Sequence, residues 1–425
     1  MKQSVVAAAA VCTALLFILS AISPAPIGRP ERRFSDADVA VSAADPQMQP
    51  VVNRSVLYGY LSGLVGFGPR VTGTPGCRAA AEYIYREFEQ LGLQVSYHDW
   101  TARGNLWHPG RYDSRNVIAT LPGEDTATII FNAHYDTVEG TVGADDDASG
   151  VAAVLAAAHA LHDKRFNHTV TFVAMSGEEE GLLGSHAYAR DIYTSNASVV
   201  VEFNADMIGH ANTSEGGSSF RMYGTEDTVW IRGVVEDVNE ALGIDFDLVN
   251  GSIDRERQGG SDYASFAHYG YEAVAFFEKE WNPYMHEPGD DLDNVNMSYL
   301  YNTTALITGT IDALADMPLH PQVTLETPQR DAVYLDGEAV APSAGRCSIV
   351  VGDCIVTARV WHGSLEQVDF YLDDVLVHTD TTAPYAWDVN RAVLGEHTLR
   401  AVATDMAGRS SEDYLPVFFL HPLPR

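Results

Sequence analysis

One change of pattern, at Pro318, sets what this chain can fold into. Before it, from about Asn53 to Met317, short apolar runs interleave with segments of helical period. Residues 129–133, 169–175, 199–203 and 273–277 read as apolar strands. Thr74 followed by Pro75 opens a helix in which Ala80, Ile84, Phe88 and Leu91 recur at helical spacing, and Gly92 closes it. Residues 149–161 form an Ala-rich helix and 299–314 a closing one. Apolar strands alternating with helices predict an α/β fold, a mixed sheet flanked by helices on both faces. After Pro318 the pattern is strands only. Val368, Phe370 and Leu372 alternate, Asp373-Asp374 makes a turn, Val375 and Val377 resume the alternation, and His397, Leu399 and Ala401 repeat it. A small β-sandwich is expected there.

The first residues show one lysine, a long uncharged apolar run ending near Ser20 and Ala21, then a Pro-rich stretch. This reads as a signal peptide, the other reading being a retained membrane anchor; either takes the remainder out of the cytoplasm. The expected organisation is 1–25 leader or anchor, 26–50 linker, 51–317 the α/β domain and 319–425 the sandwich. The formal charge is −32, with Lys2, Lys164 and Lys279 the only lysines. A surface so acidic repels nucleic acid and anionic membranes. Asn-x-Ser/Thr sequons at Asn53, Asn167, Asn196, Asn212, Asn250, Asn296 and Asn302 are compatible with an extracellular address. Cys12 falls in the leader, and Cys77 reads as a small buried residue. In an exported chain Cys347 and Cys354 are expected to pair, the alternative being two buried thiols.

Acidic residues and histidines gather where the strands end. The first apolar strand runs into His134-Tyr135-Asp136, and Asp145-Asp146-Asp147 precedes the Ala-rich helix. Glu178-Glu179-Glu180, Asp206-Met207 and Asn282-Pro283-Tyr284-Met285-His286 follow the next three strands. In an open α/β sheet, ligands bind beyond the carboxyl ends of the strands. Imidazoles mixed with carboxylates suit zinc. One carboxylate can bridge two cations about 3.5–4 Å apart, which activate a water, and a neighbouring carboxylate free of metal must then act as base. A Glu-Glu pair supplies one ligand and one free base. Singly, each segment has an ordinary reading: an acidic helix cap, a charged loop, a core histidine, a surface loop histidine, a turn aspartate.

Together and in this order, the segments resemble the M28 peptidases, the family of zinc aminopeptidases that includes bacterial leucyl-type enzymes. The resemblance covers residues 54–316, roughly 60% of the chain, and Phe67-Gly68-Pro69-Arg70 and Thr72-Gly73 resemble the family's opening. It implies a zinc exopeptidase-like fold with two Zn2+ per chain. His134 and Asp206 would hold one, Glu179 and His286 the other, and Asp146 would bridge them. Glu178 would be the general base, and Asp136 would orient the His134 ring. The peptide link Asp146-Asp147 would be cis. Tyr284 is a candidate donor to the oxyanion, the other reading being a packing role. Ser261-Asp262-Tyr263 departs from the family's Ser-Asp-His, which affects the surroundings of the substrate pocket but no ligand.

The function implied is hydrolysis of N-terminal residues from peptides. Rivals on the same fold are a carboxypeptidase, for which no Arg cluster lies beside the motifs, and a glutaminyl cyclase, which works with one zinc. A non-catalytic binding protein is the rival of another class; it should have lost a ligand or the base, and this chain has kept both. The C-terminal region resembles bacterial Ig-like domains through residues 368–373 and 404–408, which suggests docking on a cell surface or substrate.

Overall fold

Asn53 starts the first helix, α1 (Arg54–Val65), by accepting from the backbone N–H groups of Ser55 and Val56. Thr74 does the same for α2 (Pro75–Gln90) through the N–H of Cys77, with Pro75 in the first turn, where its missing donor costs nothing. The computed structural model describes residues 52–421 except 105–108, 226–227, 254–259, 320, 331, 344–346, 362–364 and 407. The leader and linker, with Cys12, lie outside the described residues. The chain divides into two units after Leu319.

The first unit continues with β1 (Gln94–Arg103), β2 (Arg111–Leu121), β3 (Thr128–His134), α3 (Ala148–Leu161), β4 (Thr169–Met175), α4 (Leu183–Thr194), β5 (Val199–Ala205), α5 (Ser214–Gly217), β6 (Ser219–Gly224), α6 (Val229–Ala241), β7 (Asp247–Ser252), α7 (Tyr263–His268), β8 (Ala273–Glu278) and α8 (Met297–Leu314). Its eight strands form one sheet in the order β1-β2-β4-β3-β5-β8-β6-β7. The central four, β4, β3, β5 and β8, are mutually parallel. β2 joins β4, and β6 joins β8, antiparallel. The parallel centre delivers four strand ends to one edge. Strands β3, β4, β5 and β8 are buried almost throughout, which explains their continuous apolar runs.

Helix α3 is buried on nearly every side and packs against β3, α1 and α8. Its alanines make close approach possible. A Cβ added to Gly150 would stand 2.4 Å from the carbonyl oxygen of Ala205 at the end of β5. Among the described residues, no helix is long and apolar enough to cross a membrane.

In the second unit a seven-stranded and a three-stranded sheet enclose a core that includes Val356, Phe370, Trp387, Leu399 and Phe419. The expected alternation holds at Val368, Phe370 and Leu372, all buried. Asp373 and Asp374 both take positive φ (51° and 63°) and turn strand Leu365–Leu372 into Val375–Asp380. That second strand ends the sheet, so Val375 is exposed. The expected Cys347–Cys354 bridge is not formed. Strand Ser348–Val351 lies extended between the two cysteines. Cys354 is instead a buried thiol, its pKa pushed up to about 12 by burial and by Asp388.

Candidate metal centre

The four parallel strands place the acidic and imidazole groups together. His134 is the last residue of β3, Glu178 and Glu179 follow β4, Asp206 follows β5, and His286 lies in the loop after β8. Asp146 comes from the loop between β3 and α3. Its two carboxylate oxygens face opposite imidazoles: Oδ1 stands 3.2 Å from His134 Nε2, and Oδ2 stands 3.1 Å from His286 Nε2. Asp206 Oδ1 lies 3.8 Å from the same His134 nitrogen, and Glu179 Oε2 lies 3.3 Å from that of His286. Asp146 therefore stands between two imidazole–carboxylate pairs, His134 with Asp206 and His286 with Glu179.

Asp147 also lies within reach of His134 and Asp206. Its oxygens are already used. Oδ1 accepts from the N–H groups of Gly150 and Met207, and Oδ2 from that of His134. Asp147 is thus the cap of α3, and Asp146 is the carboxylate left for the centre. The peptide between them is cis, as the resemblance implied.

The electrostatics of the cluster favour positive charge. Burial opposes charge on His134, yet Asp136, Asp146 and Asp206 outweigh it and raise the imidazole well above its usual pKa. Asp146 and Glu179 push His286 up to about 10. Burial would raise Asp146, but the two facing imidazoles hold it below the ordinary carboxylate range. Glu179 Oε1 is buried with no hydrogen-bond partner, as expected of an oxygen awaiting a cation. Nitrogen and oxygen donors in this ratio suit zinc.

Glu178 accepts no hydrogen bond from a neighbouring side chain among those resolved at the centre. Burial, then the surrounding carboxylates Asp206, Asp262 and Glu179, raise it well above the ordinary range against the pull of His134. Asp136 is fully buried and works mainly on the backbone. Its oxygens lie 3.4 Å and 3.3 Å from the N–H groups of Glu178 and Glu179, and it accepts from Thr72 Oγ1 at 3.0 Å. The His134 Nδ1 atom faces the Asp136 carbonyl oxygen at 3.2 Å and its carboxylate at 3.7 Å. Tyr284 packs its ring over Gly289 and edge-on to His210. Tyr263 begins α7 and stands edge-on to Phe277.

Two residues at the turns beside the centre take left-handed conformations that side chains disfavour, Met207 (φ 54°) and His286 (φ 62°). Such backbone concentrates where surrounding structure over-determines a functional geometry.

Sequence reasoning noted Arg70 only as part of an opening motif. Its guanidinium is wholly buried and donates to the carbonyl oxygens of Tyr135, Val142 and Gly143 at 2.7, 2.5 and 3.0 Å. Burial lowers its pKa to about 10 despite Asp136, Asp290 and Asp147 nearby. Asp290 was missed altogether. Asn282 was noted only as part of a motif, and its contact with Asp145, which it surrounds together with Glu278, was not foreseen. The one available signal was the position of Asp290 four residues after His286.

An α/β sheet that gathers two imidazoles and a set of carboxylates at the carboxyl ends of its parallel strands defines a metal-dependent hydrolase. Residues 116–311 match Peptidase family M28 and residues 321–401 match the bacterial Ig domain. The chain thus carries an M28 peptidase domain followed by a bacterial Ig domain. It is 23% identical over 284 residues to leucine aminopeptidase 1 of Ajellomyces capsulatus (strain NAm1 / WU24), covering 62% of this chain and 72% of that protein. The fold is similar to that of an aminopeptidase from Aneurinibacillus sp. strain AM-1, at TM-score 0.54 and 19% identity over 64% of this chain and 96% of that one. It is also similar to that of Porphyromonas gingivalis glutaminyl cyclase, at TM-score 0.55 and 20% identity over 62% and 99%.

Proposed function

We propose that this chain is an exported aminopeptidase that uses two zinc ions to remove N-terminal residues from peptides. The observation that carries the reading is the division of the Asp146 carboxylate between His134 and His286. One residue with each oxygen turned to a different imidazole is what a bridge between two cations requires. His134 and Asp206 would hold one ion, and His286 and Glu179 the other.

Zinc, when bound, polarises the peptide carbonyl and makes water a usable nucleophile near neutral pH. Glu178 accepts the proton of the attacking water and returns it to the departing amine. Asp136, fixed by Thr72, keeps the Glu178-Glu179 backbone in place, so one carboxylate stays at its ligand position while its neighbour remains available as base. The carboxylates of the site favour a substrate that brings a positive charge, and a free N-terminal ammonium supplies it. Export rests on the apolar N-terminal run. The Ig domain is read as a docking module for cell surface or substrate.

The test is a panel of aminoacyl, N-blocked and N-terminal glutaminyl substrates, with and without chelator, beside Glu178→Gln. Unblocked substrates are expected to be cleaved, chelator to abolish cleavage, and the substitution to lower kcat by about 10²–10⁴-fold at unchanged zinc content. Cleavage of blocked substrates removes the exopeptidase reading. Cyclisation of glutaminyl peptides without hydrolysis of the others turns it to a cyclase. Cleavage indifferent to chelator and to the substitution removes the mechanism.

A further inference from the structure

The bridging aspartate and the most exposed proposed ligand come from loops far apart in the chain. Asp146 lies between β3 and α3, whereas His286 follows β8 and is 43% exposed on its side chain. Something must hold the two loops in register, because a shift of either would open one of the two pairs. Asp290 joins them. Four residues beyond His286, it is 1% exposed and extends its carboxylate under the opposite loop. Oδ1 accepts from the backbone N–H of Asp145 at 2.8 Å, and Oδ2 from that of Asp146 at 3.1 Å. Its carbonyl oxygen accepts from the N–H of Ala144 at 3.2 Å. Its own N–H donates to the carbonyl of Glu287, which closes the turn that follows His286. Three consecutive backbone donors of one loop are thus bound by a single residue of the other. Asn282 adds a fourth tie between the same loops, from Nδ2 to Asp145 Oδ2 at 2.7 Å.

We infer that Asp290 is a positioning residue that locks the Asp146 loop to the His286 loop and thereby sets the affinity for both proposed zinc ions. The inference rests on the two-zinc reading above. It follows from how the carboxylate is used. Both oxygens accept from backbone of the residue pair that includes the bridge, and the residue is 1% exposed. Asparagine can replace one acceptor but turns a donor toward the other N–H. Alanine replaces neither. The graded loss of acceptors predicts graded loss of metal.

The experiment measures zinc binding to the full-length wild type, Asp290→Asn and Asp290→Ala by chelator competition. Each protein is checked for native fold by circular dichroism and for the thermal midpoint of its metal-free form. The expected order of affinity is wild type, then Asn, then Ala, with losses of about 10–100-fold typical of residues that orient ligands, and with kcat following zinc occupancy and recovering when zinc is added in excess. The asparagine variant keeps the side-chain shape and serves if the alanine variant does not fold. Folded variants that bind zinc as tightly as wild type, whether or not their midpoints fall, overturn the inference and leave Asp290 a stabilising residue only. Wild-type protein that binds no zinc overturns this inference together with the reading beneath it.

Discussion

The guanidinium of Arg70, with no exposed surface, donates to the carbonyl oxygen of Gly143 at 3.0 Å and so holds the loop that carries Asp146. A buried charge is tolerated when hydrogen bonds and opposite charges surround it, and three carbonyls and three nearby aspartates do so here. Arg70→Met should therefore cost about 3–5 kcal/mol in urea unfolding. Arg70→Lys should recover only part, because an ammonium cannot span three carbonyls fixed for a planar fork. A methionine variant within about 1 kcal/mol of wild type would show that the loop holds itself.

The two imidazoles belong to different imidazole–carboxylate pairs, so each should account for one ion. His134→Ala and His286→Ala are each expected to lower bound zinc from two to about one per chain, read by native mass spectrometry. His134→Ala should also be the more destabilising, since His134 is 1% exposed and faces Asp136, Asp146 and Asp206, whereas His286 is 43% exposed. Retention of two ions by either variant contradicts the division.

Glu202 offers a pH test away from the proposed ligands. It is fully buried on β5, accepts from Asn132 Nδ2 on one oxygen and has no partner on the other, while Asn204 Oδ1 is also without one. Burial raises its pKa well above the ordinary value. A carboxyl whose folded pKa is raised binds its proton more tightly in the native state. Stability is then greatest below the unfolded pKa and falls as pH rises from there toward the folded value. Glu202→Gln should remove that slope, being close to wild type near pH 4 and more stable by about 1–3 kcal/mol at pH 8. Parallel stability curves for the two proteins would refute protonated Glu202.

Gly150 tests the contact between α3 and the end of β5. An alanine Cβ there would meet Ala205 O at 2.4 Å and the Asp147 carboxylate at 2.6 Å. Gly150→Ala should destabilise by about 1–3 kcal/mol and disturb the cap that keeps Asp147 off the metal positions. A neutral effect on both stability and zinc content would mean that the helix can slide without consequence.

The ordering of strands and helices was legible because it rests on local signals. Thr74 and Pro75 cap and start α2, the apolar run at 169–175 coincides with β4, and the run ending at His134 fixes where β3 stops. The clustering of His134, Asp146, Glu179, Asp206 and His286 was legible because each sits at a strand end or in the loop that follows. The cysteine pairing failed because spacing in sequence does not reveal that an extended strand separates Cys347 from Cys354. The role given to Asp136 was incomplete for a related reason: a side chain that serves backbone N–H groups 42 and 43 residues away leaves no mark on its own neighbourhood.

The sequence by itself determined the two architectures, the boundary region near Pro318 and the order in which acids and imidazoles arrive at one edge, since periodicity, caps and motif spacing act between near neighbours. The tertiary structure alone decided that Asp146 and not Asp147 turns both oxygens to the imidazoles, and that Arg70 and Asp290 both hold its loop. Those contacts join residues 72 and 144 positions apart. Such pairs are created by the packing of the sheet, and no local propensity encodes them.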